Sequence, residues 1–417
     1  MATCCSFNLR GKITEITIIK KSPLSSNHPL LAIAAATLAQ AVGAWGMFVY
    51  TAGATVIADD LAVSATYIGY QIGIAYFAAT ICTLFSGGLT RSLGPMWCLA
   101  VAMSFVAVGS LVTTAWQLVG MFAGSITMGI GFGLIPASAS QVLITVSERR
   151  NRALIFSIKQ SGIPVGGMMS ALTTPLFIEL LDWRAAGYAV CLASFFIALI
   201  LFIYGRRWIN EDRGREGATL NPLLPILAVR GSRSLVMLMY MSAFYVAVQI
   251  VWLTFLSPFF VEDLNISLLE AGYLLAVIQV TGIFGRITWG WLSDRLQDHF
   301  TVMILLGWVM AICCGVAYFL SGNTPFSLLA LLCFLIGFSA VSWNGVCHAA
   351  VVEVAPKGET VQAIAGMAFY VYIAMFVWPA LFAFLIERSG SYVFPLTALI
   401  LFALAGVYFS YLAKLRR

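Results

Sequence analysis

The chain has 417 residues, of which 61% are Ala, Val, Ile, Leu, Met, Phe, Trp, Tyr or Cys and only 10% are charged, whereas soluble domains are about half apolar and about a quarter charged. With a mean hydropathy of +0.95, a water-soluble fold is excluded. The formal charge of +6 then reports orientation in a bilayer, and no nucleic-acid partner is expected from it.

The stretch to about His28 carries Arg10, Lys12, Lys20 and Lys21 but no apolar core of signal-peptide length, so residues 1–30 read as a cytoplasmic tail. Twelve apolar runs follow, at 31–57, 65–89, 96–115, 117–145, 154–180, 185–205, 234–260, 268–292, 301–320, 325–352, 361–386 and 392–413. Each approaches or exceeds the roughly 20 residues that a helix needs to cross the hydrocarbon core. The one long connection, 206–233, is rich in arginine (Arg206, Arg207, Arg213, Arg215, Arg230 and Arg233) and separates two six-span halves, 31–205 and 234–413, with 414–417 closing the chain. The predicted fold is therefore an all-α membrane protein, twelve transmembrane helices arranged as two pseudo-symmetric six-helix bundles.

Of the 23 Lys and Arg residues, 19 fall on the side of the tail, the central connection and the C-terminus, and only Arg184 and Arg388 on the other. That bias predicts cytoplasmic termini in a multi-pass protein of the cell's inner (plasma) membrane. The remaining two, Lys159 and Arg286, lie inside spans. Cys82, Cys98, Cys191, Cys313, Cys314, Cys333 and Cys347 also lie inside apolar runs, where cysteine acts as a small hydrophobe, and no disulfide framework follows. The halves echo each other. Gly87-Gly88-Leu89-Thr90-Arg91-Ser92-Leu93-Gly94 follows span two, and Gly290-Trp291-Leu292-Ser293-Asp294-Arg295-Leu296 follows span eight, 203 positions later. Asp182-Trp183-Arg184 closes span five and Glu387-Arg388 closes span eleven at nearly the same offset. Equal offsets at two places argue for duplicated halves, a common build of secondary transporters.

At these residues the chain resembles the major facilitator superfamily. Gly290-Trp291-Leu292-Ser293-Asp294-Arg295 is similar to its loop signature, with Arg91 standing in the first half where the family usually has Asp. Lys159-Gln160-Ser161-Gly162-Ile163-Pro164-Val165-Gly166-Gly167 is similar to the glycine- and proline-rich stretch of its fifth helix, while the common fourth-span Arg is missing, Ser125 standing four residues before Gly129-Ile130-Gly131. The resemblance covers about residues 30 to 415. It implies alternating access by two halves rocking about a central cavity, with Asp294, Arg295, Gly290, Gly87 and Gly94 as conformational gating residues. More narrowly, Gly285-Arg286-Ile287-Thr288-Trp289-Gly290 is similar to the oxalate:formate antiporter and monocarboxylate transporter branches, in which an Arg at this place engages the substrate carboxylate. Those branches often add a cation in span eleven, which here is uncharged from Ala363 to Ile386.

A cation near the bilayer centre costs about 2.5–3.5 kcal/mol on insertion scales, so Arg286 and Lys159 each need a reason. Gln279 and Arg286 are seven apart and share a helical face. The functional reading makes Arg286 a bidentate clamp for a carboxylate; the alternative is a structural ion pair with Asp294 or Glu353. Lys159 either faces the cavity or snorkels to the cytoplasmic interface. Asn344 and His348 share a face of span ten, Tyr245 and Gln249 a face of span seven, and Gln40 and Tyr70 supply polar tips in spans one and two. Together these nine residues form the candidate substrate-binding set, although a lone His or an aromatic stripe also fits plain packing. Gly129, Gly131, Gly133, Gly162, Gly166 and Gly167 read as close helix packing. Neither a zinc pattern nor a phosphate loop occurs, so no metal, cofactor or enzymatic activity is expected. The expected function is secondary active transport of a small organic anion, a carboxylate, by a monomer in the lipid bilayer, with protons or a counter-substrate as coupling partners. The alternatives are a proton-coupled exporter of drugs or hydrophobic metabolites and, more remotely, a non-transporting receptor or enzyme.

Overall fold

The computed structural model describes residues 28–63, 65–208 and 220–416. Inside a bilayer every backbone N–H and C=O must find its partner within the protein, and this sequence meets that demand with helices; no strand occurs among the described residues. The first half holds α1 (Pro29–Ala52), the short α2 (Ala54–Asp60), α3 (Ala65–Leu93), α4 (Pro95–Ala115), α5 (Gln117–Val146), α6 (Arg152–Gln160), α7 (Gly162–Leu180) and α8 (Trp183–Trp208). After α9 (Leu223–Arg230) the second half holds α10 (Arg233–Pro258), α11 (Leu268–Leu296), α12 (His299–Val316), α13 (Phe326–Ser339), α14 (Asn344–Val354), α15 (Thr360–Ser389) and α16 (Val393–Leu415). Among the described residues, 12 helical stretches are long and apolar enough to cross a membrane. Two of them are broken: span five is α6 followed by α7, and span ten is α13 followed by α14.

Starts and stops follow local chemistry. Proline occupies the first turn of α1 and of α4, where its missing N–H costs nothing. Ser267 and Glu270 form a capping box at the start of α11. Asp298 caps α12 and lies 2.6 Å from Lys414 of α16. Burial works against the Asp298 charge, but hydrogen bonds from Lys414 and Thr301 overcome it and hold the carboxyl down at about 2.

Each half has its own core. Trp45, Tyr50, Phe132 and Phe156 anchor the first, and Tyr245, Trp252, Phe300 and Trp343 the second. Helix α15 serves both, since Ile364 and Phe382 join the second core while Ala368 and Tyr372 join the first. The central connection 206–233 contains α9, whose buried Val229 packs into the second core. A Cβ on Gly366 of α15 would lie 2.8 Å from the Val229 side chain, so the two helices touch closely. Arg213 and Arg215, like Arg10, Lys12, Lys20 and Lys21 of the tail, lie outside the described residues.

Candidate functional site

The two halves meet along α6, a nine-residue helix that one stripe of α11 grips from end to end. Residues 286, 290 and 294 are spaced by four, hence on one face of α11. Asp294 accepts hydrogen bonds from the backbone N–H groups of Ala153 and Leu154, at 2.9 and 2.7 Å, in the first turn of α6. Gly290 lies against its middle, where a Cβ would come within 2.8 Å of the Ser157 Cβ. Arg286 reaches its far end and donates from Nη1 to the Gln160 carbonyl, while its Nε donates to the Val341 carbonyl at 2.8 Å. An acid thus faces the positive end of the helix and a cation the negative end, the arrangement the helix dipole favours.

This geometry explains how a cation survives without an acid beside it. Gln160 and Val341 stand where spans five and ten are broken, and a break frees carbonyls that need donors. Arg286, 1% exposed, supplies both. The structural alternative of an ion pair is therefore corrected: Asp294 holds the α6 N–H groups, and Glu353 pairs with Arg149 at 3.3 Å, across the halves, and lies 3.7 Å from His299. The first half closes differently. Gly87 meets Gln362 of α15, and Arg91, 203 positions before Asp294, donates to the Gly358 carbonyl just ahead of α15.

Beyond Arg286 lies a cavity of about 500 Å³ between the halves, reaching toward the bundle end opposite Asp294 and Glu353. Phe48, Tyr76 and Ile163 line it from the first half, and Leu253, Gln279 and Met375 are among those lining it from the second. Arg286 contributes the charge; the other polar side chains on its wall are Thr51, Tyr76, Gln249, Thr254 and Gln279. The Tyr76 ring packs against Phe132 and against Tyr372 of the other half, at centroid distances of 6.2 and 6.1 Å.

Of the nine candidate binding residues, the cavity brings together Arg286, Gln279 and Gln249. Asn344 stands behind Gln249, giving its amide N–H to Gln249 Oε1, which also accepts from Trp343 Nε1. Lys159 does not snorkel: it is 0% exposed and its ammonium donates to Gln160 Oε1 at 3.1 Å. It lies off the cavity wall, as does His348, whose ring meets Phe156 edge-on and whose Nδ1 has no hydrogen-bond partner among the described residues. Tyr245 is a correction. Its ring fills the space that Gly307 and Gly406 leave open, and its hydroxyl donates to the Met303 carbonyl. Gln40 is buried beside Gly162 and does not line the cavity, and the Tyr70 side chain lies outside the described residues.

Of the residues expected to gate, Arg295 is corrected, since it is exposed and stacks over Trp291 of its own helix at 5.3 Å rather than facing the other half. Gly94 takes φ +86° at the turn before α4, a conformation open to glycine. Gly167 is not a packing glycine. It lines the cavity, whereas Gly162 and Gly166 do press on the α1 backbone. Sequence reasoning missed Gln160 and Val341 because they act through main-chain carbonyls, which carry no residue-type signal. The sequence signal beside Gln160 is the intramembrane Lys159 immediately before it and the Pro164 four residues after it, which cannot donate to the Gln160 carbonyl.

Comparison with known proteins agrees with this architecture. The family profile described as Major Facilitator Superfamily matches residues 35–379. The hexuronate transporter of Bacillus subtilis is 21% identical over 360 residues, 81% of this chain and 83% of that protein. Monocarboxylate transporter 12 of Mus musculus is 24% identical over 326 residues, 69% of this chain and 66% of that protein, just under two thirds of its length. Among solved structures, the proton:xylose symporter XylE bound to 6-bromo-6-deoxy-D-glucose superposes with a TM-score of 0.72 at 16% identity, covering 92% of this chain and 95% of that one.

Proposed function

Since this chain belongs to the major facilitator superfamily, and is thereby a multi-pass membrane transporter rather than an enzyme, we propose that it carries a small organic anion and that Arg286 binds the substrate's carboxylate. The observation behind this reading is charge. Arg286 is the charged side chain on the cavity wall among the described residues, and a guanidinium fork matches a carboxylate with two parallel hydrogen bonds. The relatives whose names specify hexuronate and monocarboxylate support the same class.

The transport step follows from what Arg286 already holds. A carboxylate docking end-on engages Nη1 and Nη2, and so competes with the Gln160 carbonyl for Nη1. Substrate binding then loosens the grip of α11 on the C-terminal end of α6, the contact that joins the halves beneath the cavity. With the termini cytoplasmic, as the Lys and Arg distribution argues, the cavity faces outward in this state. Loosening that grip favours opening to the cytoplasm, which is alternating access driven by differential contacts. Asp294 and Gly290 belong to the closing surface and take no part in binding.

The test is uptake into proteoliposomes by purified variants that retain their fold. Arg286→Ala should abolish uptake of the anion. Arg286→Lys should keep the charge, lose the fork, and raise KM by at least tenfold. Normal uptake by Arg286→Ala would make the residue structural and end the anion reading.

A further inference from the structure

The cavity wall says more about the substrate than its charge. Among the described residues one cation serves the whole cavity, and it stands at the inner end beside the span breaks, while the remainder is dominated by Phe48, Ile163, Ile250, Leu253, Met375 and Phe376. The second intramembrane cation is out of reach, because Lys159 is fully buried, off the wall and turned onto Gln160. A second carboxylate on the substrate would therefore be stripped of water against apolar side chains with no counter-charge, which is strongly unfavourable. Hydroxyl groups fare little better. The neutral polar groups on the wall are few, and Gln249 Oε1 is already shared by Trp343 and Asn344, so a polyhydroxylated ring would leave most of its groups unpaired.

We infer that the substrate is an amphipathic monocarboxylate, with its single carboxylate at the Arg286 end of the cavity and an apolar body, aliphatic or aromatic, along the walls of α1, α7, α10 and α15. This rests on the reading of Arg286 as the carboxylate site. A cavity of about 500 Å³ falls within the range of small-molecule pockets, roughly 300–1,000 Å³, so a two- or three-carbon acid leaves much of the apolar wall uncovered. Affinity rises as carbon is added until the space is filled. Burying one methylene is worth roughly a fourfold gain in affinity.

The experiment is equilibrium binding to the purified full-length protein, by calorimetry, of butyrate, hexanoate, phenylacetate, succinate, glucuronate and the uncharged phenylacetamide. Hexanoate should bind roughly 15-fold tighter than butyrate, its two extra methylenes each contributing the factor above. Phenylacetate should exceed succinate, glucuronate and phenylacetamide by at least tenfold. Leu253→Asn should weaken phenylacetate at least fivefold; because the wild-type ligand series stands alone, failure of that variant to fold leaves the test intact. Succinate or glucuronate binding as tightly as phenylacetate, with phenylacetamide weak, would overturn the amphipathic monocarboxylate while leaving the anion reading standing. Phenylacetamide matching phenylacetate, or no carboxylate binding at all, would overturn the anion reading and this inference with it.

Discussion

Asp294 and Arg286 show how much a side chain's meaning depends on the backbone it meets. Both are ionic residues of one helix, and among the described residues neither has an opposite charge as its hydrogen-bond partner; each serves one end of α6. A carboxylate on helix N–H groups contributes about 0.5–2 kcal/mol, so Asp294→Asn should favour opening of this end by roughly 2- to 30-fold. A cysteine placed at buried Ala153, in a cysteine-depleted background, should then react several-fold faster with maleimide, while substrate affinity stays within about threefold. Unchanged labelling together with lost binding would move Asp294 from the closing surface to the substrate site. The sequence made Arg286 and Gln279 legible, because a cation inside an apolar run demands a reason and seven-residue spacing sets the shared face. It did not make Arg286's partners legible. A buried cation suggests an acid as partner, whereas two carbonyls exposed by broken helices fill that role, and nothing in the residue types of Gln160 and Val341 announces it. Tyr245 misled for a related reason: a polar tip on an apolar helix looks the same whether it faces a cavity or a neighbouring glycine.

Helices long and uniformly apolar enough to span a bilayer were readable from runs of residues alone, since a bilayer leaves little else for them to form. The breaks were not. Span ten is interrupted around Val341 and Ser342, where Ser339, Ser342 and Asn344 interleave with Ala340, Val341 and Trp343 in a pattern that a continuous helix also tolerates, and α9 hides within a connection whose early arginines suggest a loop. At the crossings small residues decide how near two helices come. A Cβ on Gly345 of α14 would lie 2.7 Å from the Ser157 Cβ, at the same serine that Gly290 approaches from α11. Gly345→Val should push α14 off α6, an overpacking cost of about 1–3 kcal/mol, and reduce uptake at least fivefold in protein that still elutes as a folded species. Gly315→Ala is the control, because its Cβ would find Ile400 at an ordinary 3.5 Å. Equal loss in both variants would show a general fault in folding instead of a specific seam.

For the molecule as a whole, the charge distribution predicts which way it sits. Gly231, in the central connection, and Ser389, at the end of α15, are both exposed and are the places for single cysteines. They should react with an impermeant maleimide from opposite faces of sealed vesicles. Gly231 reacting from the outer face and Ser389 from the cytoplasmic face would overturn the orientation, and reaction of both from one face would overturn the twelve-span topology. Duplication was visible in the repeated loop signature, and the closed end shows what it has become. One seam is a cation on a carbonyl, Arg91 to Gly358; the other is an anion on N–H groups, Asp294 to Ala153 and Leu154. A substitution that weakens the first cannot be copied by the same change in the second, because the chemistries are opposite. The two seams therefore fail independently: a change in salt or pH that loosens a carboxylate on N–H groups leaves a guanidinium on a carbonyl largely untouched, so this end behaves as a door with two unlike latches.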